Sequence, residues 1–323
     1  MTEVLATLVV VPRERFSYTS QSLESIYQHT TLPFKLVYID GNSPEKVKRY
    51  LQVQAQERDF KLIRTNHFLT PNQARNLSLP HVDTKYVVFI ENDVLVTPFW
   101  LERLVNCAEE TGAWLVGPLT CEGEDFATVH FMGGSIKVIE EQGKCWTVCQ
   151  RPYMYNPLAK VEASLKREPT QLLEFHSMLV RRELFEQLGG FDEALLGTAD
   201  EDDFCLTVLQ AGKLIYFEPA SKISFIVPNP PVLSDLPFFF SRWSPAWYEA
   251  SVDRFMQKWN LSEDSPSLNH IKHIRDFSKF RCRLAYPKSK PTYQKILPFL
   301  KYQAVRSLMG AIESFINWRI SYR

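Results

Sequence analysis

The 323-residue sequence lacks any apolar run of about 18 residues, so we expect no membrane-spanning helix. It also lacks a basic amino-terminal segment followed by an apolar stretch, because the first apolar run ends at Pro12. The six cysteines form no C-x-x-C pair and no zinc-ligand spacing, and we therefore expect reduced thiols. Together these absences predict a cytoplasmic protein without a secretory signal.

The chain also lacks net charge, since Lys plus Arg number 37 and Asp plus Glu number 37. This balance predicts no nucleic acid as a partner. Residues 286–323 are locally basic, however, and apolar residues recur among the lysines and arginines. Such a helix is typical of peripheral contact with the anionic inner face of a membrane, but also of docking on the protein's own domain or on a partner. Both interpretations remain open here.

Short apolar runs alternate with amphipathic segments in the first third of the chain. The predicted strands are 6–11, 35–39, 60–64, 86–90 and 114–117, and the predicted helices are 19–27, 45–58, 72–79 and 100–111. This alternation predicts an α/β fold with a doubly wound, mostly parallel sheet. Residues 120–173 look irregular, and so long a connection favours a functional role. Strands at 174–181 and 214–217 and helices at 182–188 and 204–210 follow.

The most informative segment joins a buried strand to two carboxylates. Residues 86–90 are largely apolar, and Glu91 and Asp93 follow directly. Because a sheet interior cannot hold unpaired charge, both should lie at the carboxyl end of the strand, where open α/β sheets bind ligands. Two carboxylates one residue apart suit a divalent cation, which can in turn hold a diphosphate. The alternative is that Asp93 only caps the helix that begins near 98–100.

A second acidic cluster covers residues 200–203 and precedes the helix predicted at 204–210. Carboxylates are favoured at helix amino termini, so the cluster could serve the helix dipole alone. Four acids in succession exceed what capping needs, and we therefore expect a catalytic carboxylate among them.

Six separated segments, taken in order, resemble family 2 glycosyltransferases of the GT-A fold. They are Val9-Val10-Val11-Pro12, Tyr38-Ile39-Asp40-Gly41-Asn42-Ser43, Ala74-Arg75-Asn76, Phe89-Ile90-Glu91-Asn92-Asp93 with Pro98 to Leu104, Val180-Arg181-Arg182 through Leu188-Gly189-Gly190-Phe191-Asp192-Glu193, and Asp200-Glu201-Asp202-Asp203-Phe204-Cys205.

The resemblance implies a Rossmann-like GT-A domain at 1–227, with a nucleotide-binding half at 1–119 and an acceptor and catalytic half at 120–227. A mainly helical, aromatic and basic extension would cover 228–323. The implied reaction moves a sugar, with inversion, from a nucleoside diphosphate sugar to a hydroxyl of a saccharide or glycoconjugate. Mg²⁺ or Mn²⁺ would support the leaving diphosphate, and UDP, GDP and dTDP remain open as the nucleotide.

The resemblance also assigns roles to residues. Metal binding falls on Asp93 and on Glu91, which departs from the family's aspartate. The general base falls on Glu201, with Asp200 as the fallback, because the two acid types are swapped relative to the family. The implied donor-binding residues are Pro12, Arg13, Asp40, Arg75, Glu91, Asn92, Asp93 and His176.

Three of these donor-binding residues have simpler alternatives. Asp40 could be a turn aspartate that bonds its own backbone. Arg75 could bind a phosphate, orient Asp93 or be a solvated helix arginine, and His176 could be a packed histidine. The family's metal-binding histidine after the last core strand has no counterpart at 224–228.

Two other functions compete with glycosyl transfer. A sugar-phosphate nucleotidyltransferase would need a glycine-rich phosphate loop after the first strand, and residues 12–16 contain no glycine. A glycosyltransferase-like binding protein without turnover is the second rival, because Glu91 and the swapped acids at 200 and 201 depart from the family pattern. The aromatic segment 238–248 would be an acceptor-binding wall or a packed core.

Overall fold

The computed structural model describes residues 3–226 and 232–265, and in the tail residues 307–308, 310–315 and 318–319. The strands are β1 (Ala6–Val11), β2 (Phe34–Gly41), β3 (Lys61–Thr65), β4 (Tyr86–Glu91), β5 (Val94–Val96), β6 (Leu115–Glu122), β7 (Thr128–Phe131), β8 (Ser135–Glu141), β9 (Lys144–Gln150), β10 (Glu168–Pro169), β11 (Ser177–Arg181) and β12 (Ile215–Phe225). The helices are α1 (Thr19–His29), α2 (Glu45–Glu57), α3 (Pro71–Ser78), α4 (Trp100–Thr111), α5 (Leu158–Val161), α6 (Glu183–Leu188), α7 (Asp200–Gln210), α8 (Leu236–Arg242) and α9 (Pro245–Trp259).

One mixed sheet organises the described residues. Its strand order is β10-β12-β6-β11-β4-β1-β2-β3, with β5 paired to β12 and β7 paired to β6. Strands β1 to β4 are parallel, and β11 runs antiparallel between β4 and β6. Because β1 lies between β2 and β4, the chain leaves β1 in one direction across the sheet and later returns to its other side. Such a reversal of strand order opens a crevice at the carboxyl ends of the strands.

The two central strands are buried on both faces, as their unbroken apolar sequences predict. Every residue of β1 and of β4 is buried. Alternate side chains enter two different cores, so that Val9 and Phe89 lie in one cluster and Val10 and Ile90 in the other. The Phe89 ring meets the rings of three phenylalanines edge-on, namely Phe175, Phe185 and Phe191. This packing holds β4 in place and so positions the polar residues that follow it at the edge of the sheet.

The expectation of an irregular connection at 120–173 is wrong in part. Strands β8 and β9 form a hairpin in which Glu141 pairs with Lys144. The two turn residues, Gln142 and Gly143, have positive φ angles of 53° and 75°, as a type I′ hairpin turn requires. Gln-Gly is a weaker hairpin signal than Asn-Gly, and the flanking residues are mostly polar. For this reason the sequence pattern did not reveal the hairpin.

Helices α8 and α9 pack onto the sheet domain. Asp203 of α7 accepts hydrogen bonds from Lys258 Nζ and Trp259 Nε1 of α9, each at 2.8 Å. In the aromatic segment, Phe238, Phe239, Phe240 and Trp243 are buried. For these four side chains the packed-core interpretation is therefore correct.

Much of the C-terminal sequence lies outside the described residues, including 227–231, where the predicted domain boundary falls, and most of 286–323. The boundary and the membrane-facing tail therefore stay predictions. Among the residues that the structure describes, no helix is both long enough and apolar enough to cross a bilayer.

Replacing the central aromatic of β4 tests this view of the core. We expect Phe89→Ala to lower the free energy of unfolding by about 3–5 kcal/mol, because it leaves a cavity among three rings. Val53→Ala on the exposed face of α2, where the side chain is 49% exposed, should change it by less than about 0.5 kcal/mol. Urea denaturation of both variants measures the difference, and equal effects would contradict the packing described.

Candidate active site

The crevice begins where β1 and β4 end side by side. Val11 is in register with Glu91, and the backbone N–H of Asn92 donates to the carbonyl of Val11 at 3.0 Å. The side chain of Asn92 accepts the backbone N–H of Arg13 at 2.7 Å. Asn92 therefore holds the loop after β1 against the end of β4, and this places Arg13 beside the carboxylates.

Glu91 is buried and fully engaged. Arg13 NH1 donates to its two carboxylate oxygens at 2.6 and 2.5 Å, and His176 Nδ1 lies 2.8 Å from Oε2. Burial alone would raise the pKa of Glu91, but the charge of Arg13 and the contact with His176 outweigh it and hold the pKa well below its usual range. In this arrangement Glu91 orients Arg13 and His176, and direct metal binding by Glu91 stays a prediction.

Asp93 has the opposite electrostatic character. Its side chain is completely buried, Oδ2 lies 3.3 Å from Arg15 NH1, and Oδ1 has no hydrogen-bond partner among the described residues. Burial raises the pKa of Asp93 to about 7, and the nearby Arg15 only partly offsets this. Phe99, not Asp93, occupies the N-cap position of α4. The capping alternative is therefore wrong, and Asp93 offers an unsatisfied carboxylate oxygen.

One positively charged group near these carboxylates was missed in the sequence. Arg242 of α8 is buried, and its Nε and NH1 atoms have no hydrogen-bond partner in the described part of the chain, although Nε lies 3.4 Å from Glu14 Oε1. Glu14 also accepts from Trp243 Nε1 at 2.8 Å and from Arg13 Nε at 2.8 Å. Burial opposes ionisation of Glu14, but Arg13 and Arg242 lower its pKa to about 2. The only sign of Arg242 in the sequence was its position inside the aromatic segment 238–248.

Asp40 lies at the carboxyl end of β2. It accepts the backbone N–H of Ser43 at 2.8 Å and the Ser43 hydroxyl at 3.0 Å, and it forms an ion pair with Arg64. The turn described by the simpler alternative is thus present. Pro12 packs against Gly41, at 3.0 Å from where a β-carbon would lie. An open depression of about 450 Å³ lies beside this end of the sheet, lined by Arg64, Thr65, Asn66 and His67.

Arg75 of α3 is buried instead of solvated, so the solvated-arginine alternative is wrong. Its NH1 donates to Asp200 Oδ2 at 2.6 Å and to Asn72 Oδ1 at 2.7 Å. The guanidinium lies 3.5 Å from the centre of the Phe175 ring. In this structure Arg75 positions the start of α7 rather than Asp93.

The acidic cluster opens α7, which begins at Asp200 and so includes all four acids. Burial would raise the pKa of Asp200, but the charges of Arg75 and Arg242 together lower it. Glu201 is partly exposed, and burial, followed by the charges of Asp200 and Asp202, raises its pKa well above the usual range. Asp202 accepts from Arg151 NH2 at 2.9 Å. Of the four acids, Glu201 therefore combines access with a raised pKa.

His176 lies between the carboxylates of Glu91 and Glu174. Its ring stacks on Phe225 with centroids 4.5 Å apart, and it shares a cluster with His130 and Glu174. Burial, followed by the charge of Arg13, lowers the pKa of His176 below its usual range. The packed-histidine alternative accounts for the burial of His176 but not for its contacts with these neighbouring side chains. His130 was missed because it belongs to the region predicted to be irregular, and Glu174 was missed although it begins the strand predicted at 174–181.

The structure brings most of the predicted site residues to one edge of the sheet. The charge of Arg242 contributes to lowering the pKa values of Glu14, Glu91 and Asp200, so these three carboxylates lie within electrostatic range of one guanidinium group. Asp40 and Pro12 lie farther along the same edge, at the end of β2. The arrangement can hold an anion through its arginines and a cation through Asp93.

The family model for Glycosyl transferase family 2 matches residues 7–189. Protein y4gI of Sinorhizobium fredii (strain NBRC 101917 / NGR234), described as uncharacterized, is 23% identical over 216 residues, which are 64% of this chain and 23% of y4gI. The chain thus spans about a quarter of the length of that relative.

Two solved structures are similar in fold. GalNAc-T7 with UDP, GalNAc and Mn²⁺ has a TM-score of 0.52 and 18% identity, over 85% of this chain and 55% of that chain. TarS of S. aureus has a TM-score of 0.50 and 11% identity, over 82% of this chain and 44% of that chain. These likenesses confirm the predicted GT-A type of α/β fold. Because the family model covers more than half of the sequence, the chain belongs to glycosyl transferase family 2.

Proposed function

We propose that the protein is an inverting glycosyltransferase that moves a sugar from a nucleoside diphosphate sugar to a hydroxyl of a saccharide or glycoconjugate acceptor. The observation that carries this proposal is the buried Asp93 carboxylate at the carboxyl end of β4, whose Oδ1 has no hydrogen-bond partner within the ranges that the structure describes. Membership of the family supports it. The UDP and Mn²⁺ in the GalNAc-T7 structure support the same class of donor and ion.

The residues present fit a divalent ion of the Mg²⁺ or Mn²⁺ type. Such ions bind carboxylate oxygens and keep coordination positions for phosphate oxygens. Asp93 Oδ1 is a carboxylate oxygen that no described residue engages in a hydrogen bond. When bound there, the ion would neutralise the charge that develops on the leaving diphosphate. A cation would also favour the ionised form of Asp93, whose pKa is otherwise raised to about 7.

Arginines supply the remaining positive charge for the diphosphate. The buried guanidinium of Arg242 keeps Nε and NH1 free of hydrogen bonds, and Arg15 lies beside Asp93. Planar guanidinium groups suit phosphate oxygens because two parallel N–H donors match their spacing. Arg13 is held by Glu91 and Glu14, so in this proposal it shapes the wall of the crevice and adds its charge.

Glu201 is the proposed general base. A base must be ionised to accept the proton of the acceptor hydroxyl, yet it works best when its pKa is near the working pH. The raised pKa of Glu201 meets the second condition, and its partial exposure leaves it accessible to an acceptor. Asp200 is the weaker choice because Arg75 holds it buried and lowers its pKa. One base acting opposite the leaving group gives inversion at the anomeric carbon.

The nucleoside would lie toward the end of β2. Asp40, Arg64 and the adjoining depression provide acceptors and donors for a base or a ribose. The acceptor and the cellular location rest on the sequence pattern alone. We propose a cytoplasmic enzyme, and residues 286–323 are the segment through which it would reach the inner face of a membrane.

Loss of either carboxylate should stop turnover by different routes. We expect Glu201→Gln to lower kcat at least about 100-fold with nucleotide binding retained, because only proton transfer is lost. Asp93→Asn should remove the Mn²⁺-dependent part of nucleotide binding as well. Release of nucleoside diphosphate from UDP-, GDP- and dTDP-sugars, together with thermal shifts, measures both effects.

Asp83→Asn serves as the control, since that carboxylate is exposed and pairs only with Lys35. Turnover that survives both Asp93→Asn and Glu201→Gln would contradict the proposed function. Nucleotide binding without any turnover in the unsubstituted protein would instead favour the glycosyltransferase-like binding protein.

The rate should depend on pH through Glu201. Because its pKa is raised, kcat should increase with pH through a limb that lies above the usual range of glutamate, as the carboxyl loses its proton. In Glu201→Asp this limb should shift while activity is partly kept. A profile that is flat from pH 5 to pH 8 would show that another group is the base.

In the absence of metal, the ionised Asp93 side chain should lower the free energy of unfolding. Its pKa rises from 3.8 in the unfolded chain to about 7 in the folded protein, so the unfolded state loses the proton first and stability falls as pH increases between those values. Asp93→Asn should therefore raise the free energy of unfolding at pH 8, by an amount on the order of a few kcal/mol, and have little effect near pH 4. Thermal unfolding at both pH values tests this, and destabilisation at pH 8 would refute it.

A further inference from the structure

A group of potential metal ligands lies beside Glu91 and contains no residue of the Asp93 site. His130 comes from β7, and Glu174 and His176 come from the segment that leads into β11. The ligand atoms of the three side chains all lie within 4.8 Å of one another. We propose that His130, Glu174 and His176 bind a divalent transition metal of the Zn²⁺ type, at a site separate from the oxygen site at Asp93.

The spacing of the ligand atoms suits a small ion. Glu174 Oε2 lies 3.3 Å from His130 Nε2 and 3.8 Å from His176 Nε2. Ligands about 2.1 Å from a tetrahedral ion lie about 3.4 Å from one another. The separations of Glu174 Oε2 from the two imidazole nitrogens are therefore within a few tenths of an ångström of that spacing, and the third separation is at most 4.8 Å.

Neighbouring groups already orient His176 as a ligand. The Nδ1 atom lies 2.8 Å from Glu91 Oε2, and the ring stacks on Phe225 at an interplanar angle of 19°. A neutral imidazole that donates from Nδ1 to a carboxylate keeps its lone pair on Nε2, the nitrogen that faces Glu174. The His130 ring also packs on Phe225, with centroids 4.4 Å apart. The two imidazoles are thus fixed on one aromatic surface.

Glu174 presents an unsatisfied oxygen to the same centre. Its side chain is 10% exposed, and Arg151 Nε approaches Oε1 at 3.4 Å. The other oxygen, Oε2, is buried and makes no hydrogen bond with the residues that the structure describes, although it lies 3.3 and 3.8 Å from the two imidazoles. A buried carboxylate oxygen without a partner is costly, and a metal ion would satisfy it.

The surrounding charges permit a cation. Two arginines adjoin the cluster, but each has a second carboxylate partner, Glu14 for Arg13 and Asp202 for Arg151. The arginines are therefore neutralised without using the charge of Glu174. Two imidazole nitrogens and one carboxylate favour Zn²⁺ or Co²⁺ over Mg²⁺, which prefers oxygen ligands.

Cobalt provides a probe of this site that does not depend on any enzymatic activity. We expect the full chain, after removal of bound metal, to bind Co²⁺ with the intense visible absorption of a nitrogen-ligated, low-coordinate ion. Zn²⁺ should displace it, whereas Mg²⁺ in large excess should not. The absence of this absorption at saturating Co²⁺ would overturn the proposal.

Paired substitutions assign the ligands. His130→Ala with His176→Ala should weaken Co²⁺ binding at least about 100-fold. The matched control removes two exposed histidines outside the cluster, His67→Ala with His81→Ala, and should leave the affinity unchanged. Asp93→Asn should also leave it unchanged, and so this proposal and the proposed glycosyl transfer can fail independently. Equal binding by the His130/His176 variant and the control would refute the site.

A measurement on the unsubstituted protein covers the case in which the double variant does not fold. X-ray absorption at the zinc edge should show two imidazole nitrogens and at least one oxygen about 2.0–2.2 Å from Zn²⁺. A shell of oxygens alone would place the ion at the carboxylates and overturn the assignment.

Discussion

The ion pair between Arg13 and Glu91 is the interaction on which the site depends. It joins the loop after β1 to the end of β4, and His176 and Glu14 are oriented through it. Burying these charges is tolerated only because each has a partner of opposite sign or a hydrogen bond. Asp93, two residues farther along, lacks such full compensation. The same strand end therefore carries one carboxylate that builds the crevice and one that we propose as the ligand of the cation.

This division explains why replacing the family's first aspartate by Glu91 need not disable the site. The side chain is one methylene longer, and it uses that reach to contact Arg13 and His176. The acidic start of α7 is divided similarly. Arg75 immobilises Asp200, α9 holds Asp203, and Glu201 keeps both access and a raised pKa. In each cluster, neighbouring carboxylates take different roles because their environments shift their pKa values in opposite directions.

The sequence predicts those parts of the fold that depend on local pattern. The continuous apolar run at 86–90 predicts a central strand, and the carboxylates after it mark the crevice, since charge must leave a sheet interior. Contacts between distant segments could not be read in this way. Arg242 meets Glu14 across 228 positions, and His130 meets Glu174 across 44 positions. The hairpin at β8 and β9 was missed because Gln142-Gly143 is a weaker turn signal than Asn-Gly.

The central claim is that Asp93 holds the cation that carries the donor diphosphate. A crystal structure of the protein with Mn²⁺ and a bound nucleoside diphosphate tests it most directly, because anomalous scattering locates the ion independently of the nucleotide. The account predicts a Mn²⁺ peak about 2.2 Å from Asp93 Oδ1, with the ion also bound to diphosphate oxygens. A diphosphate that binds away from Asp93, with no ion at this carboxylate, would contradict it.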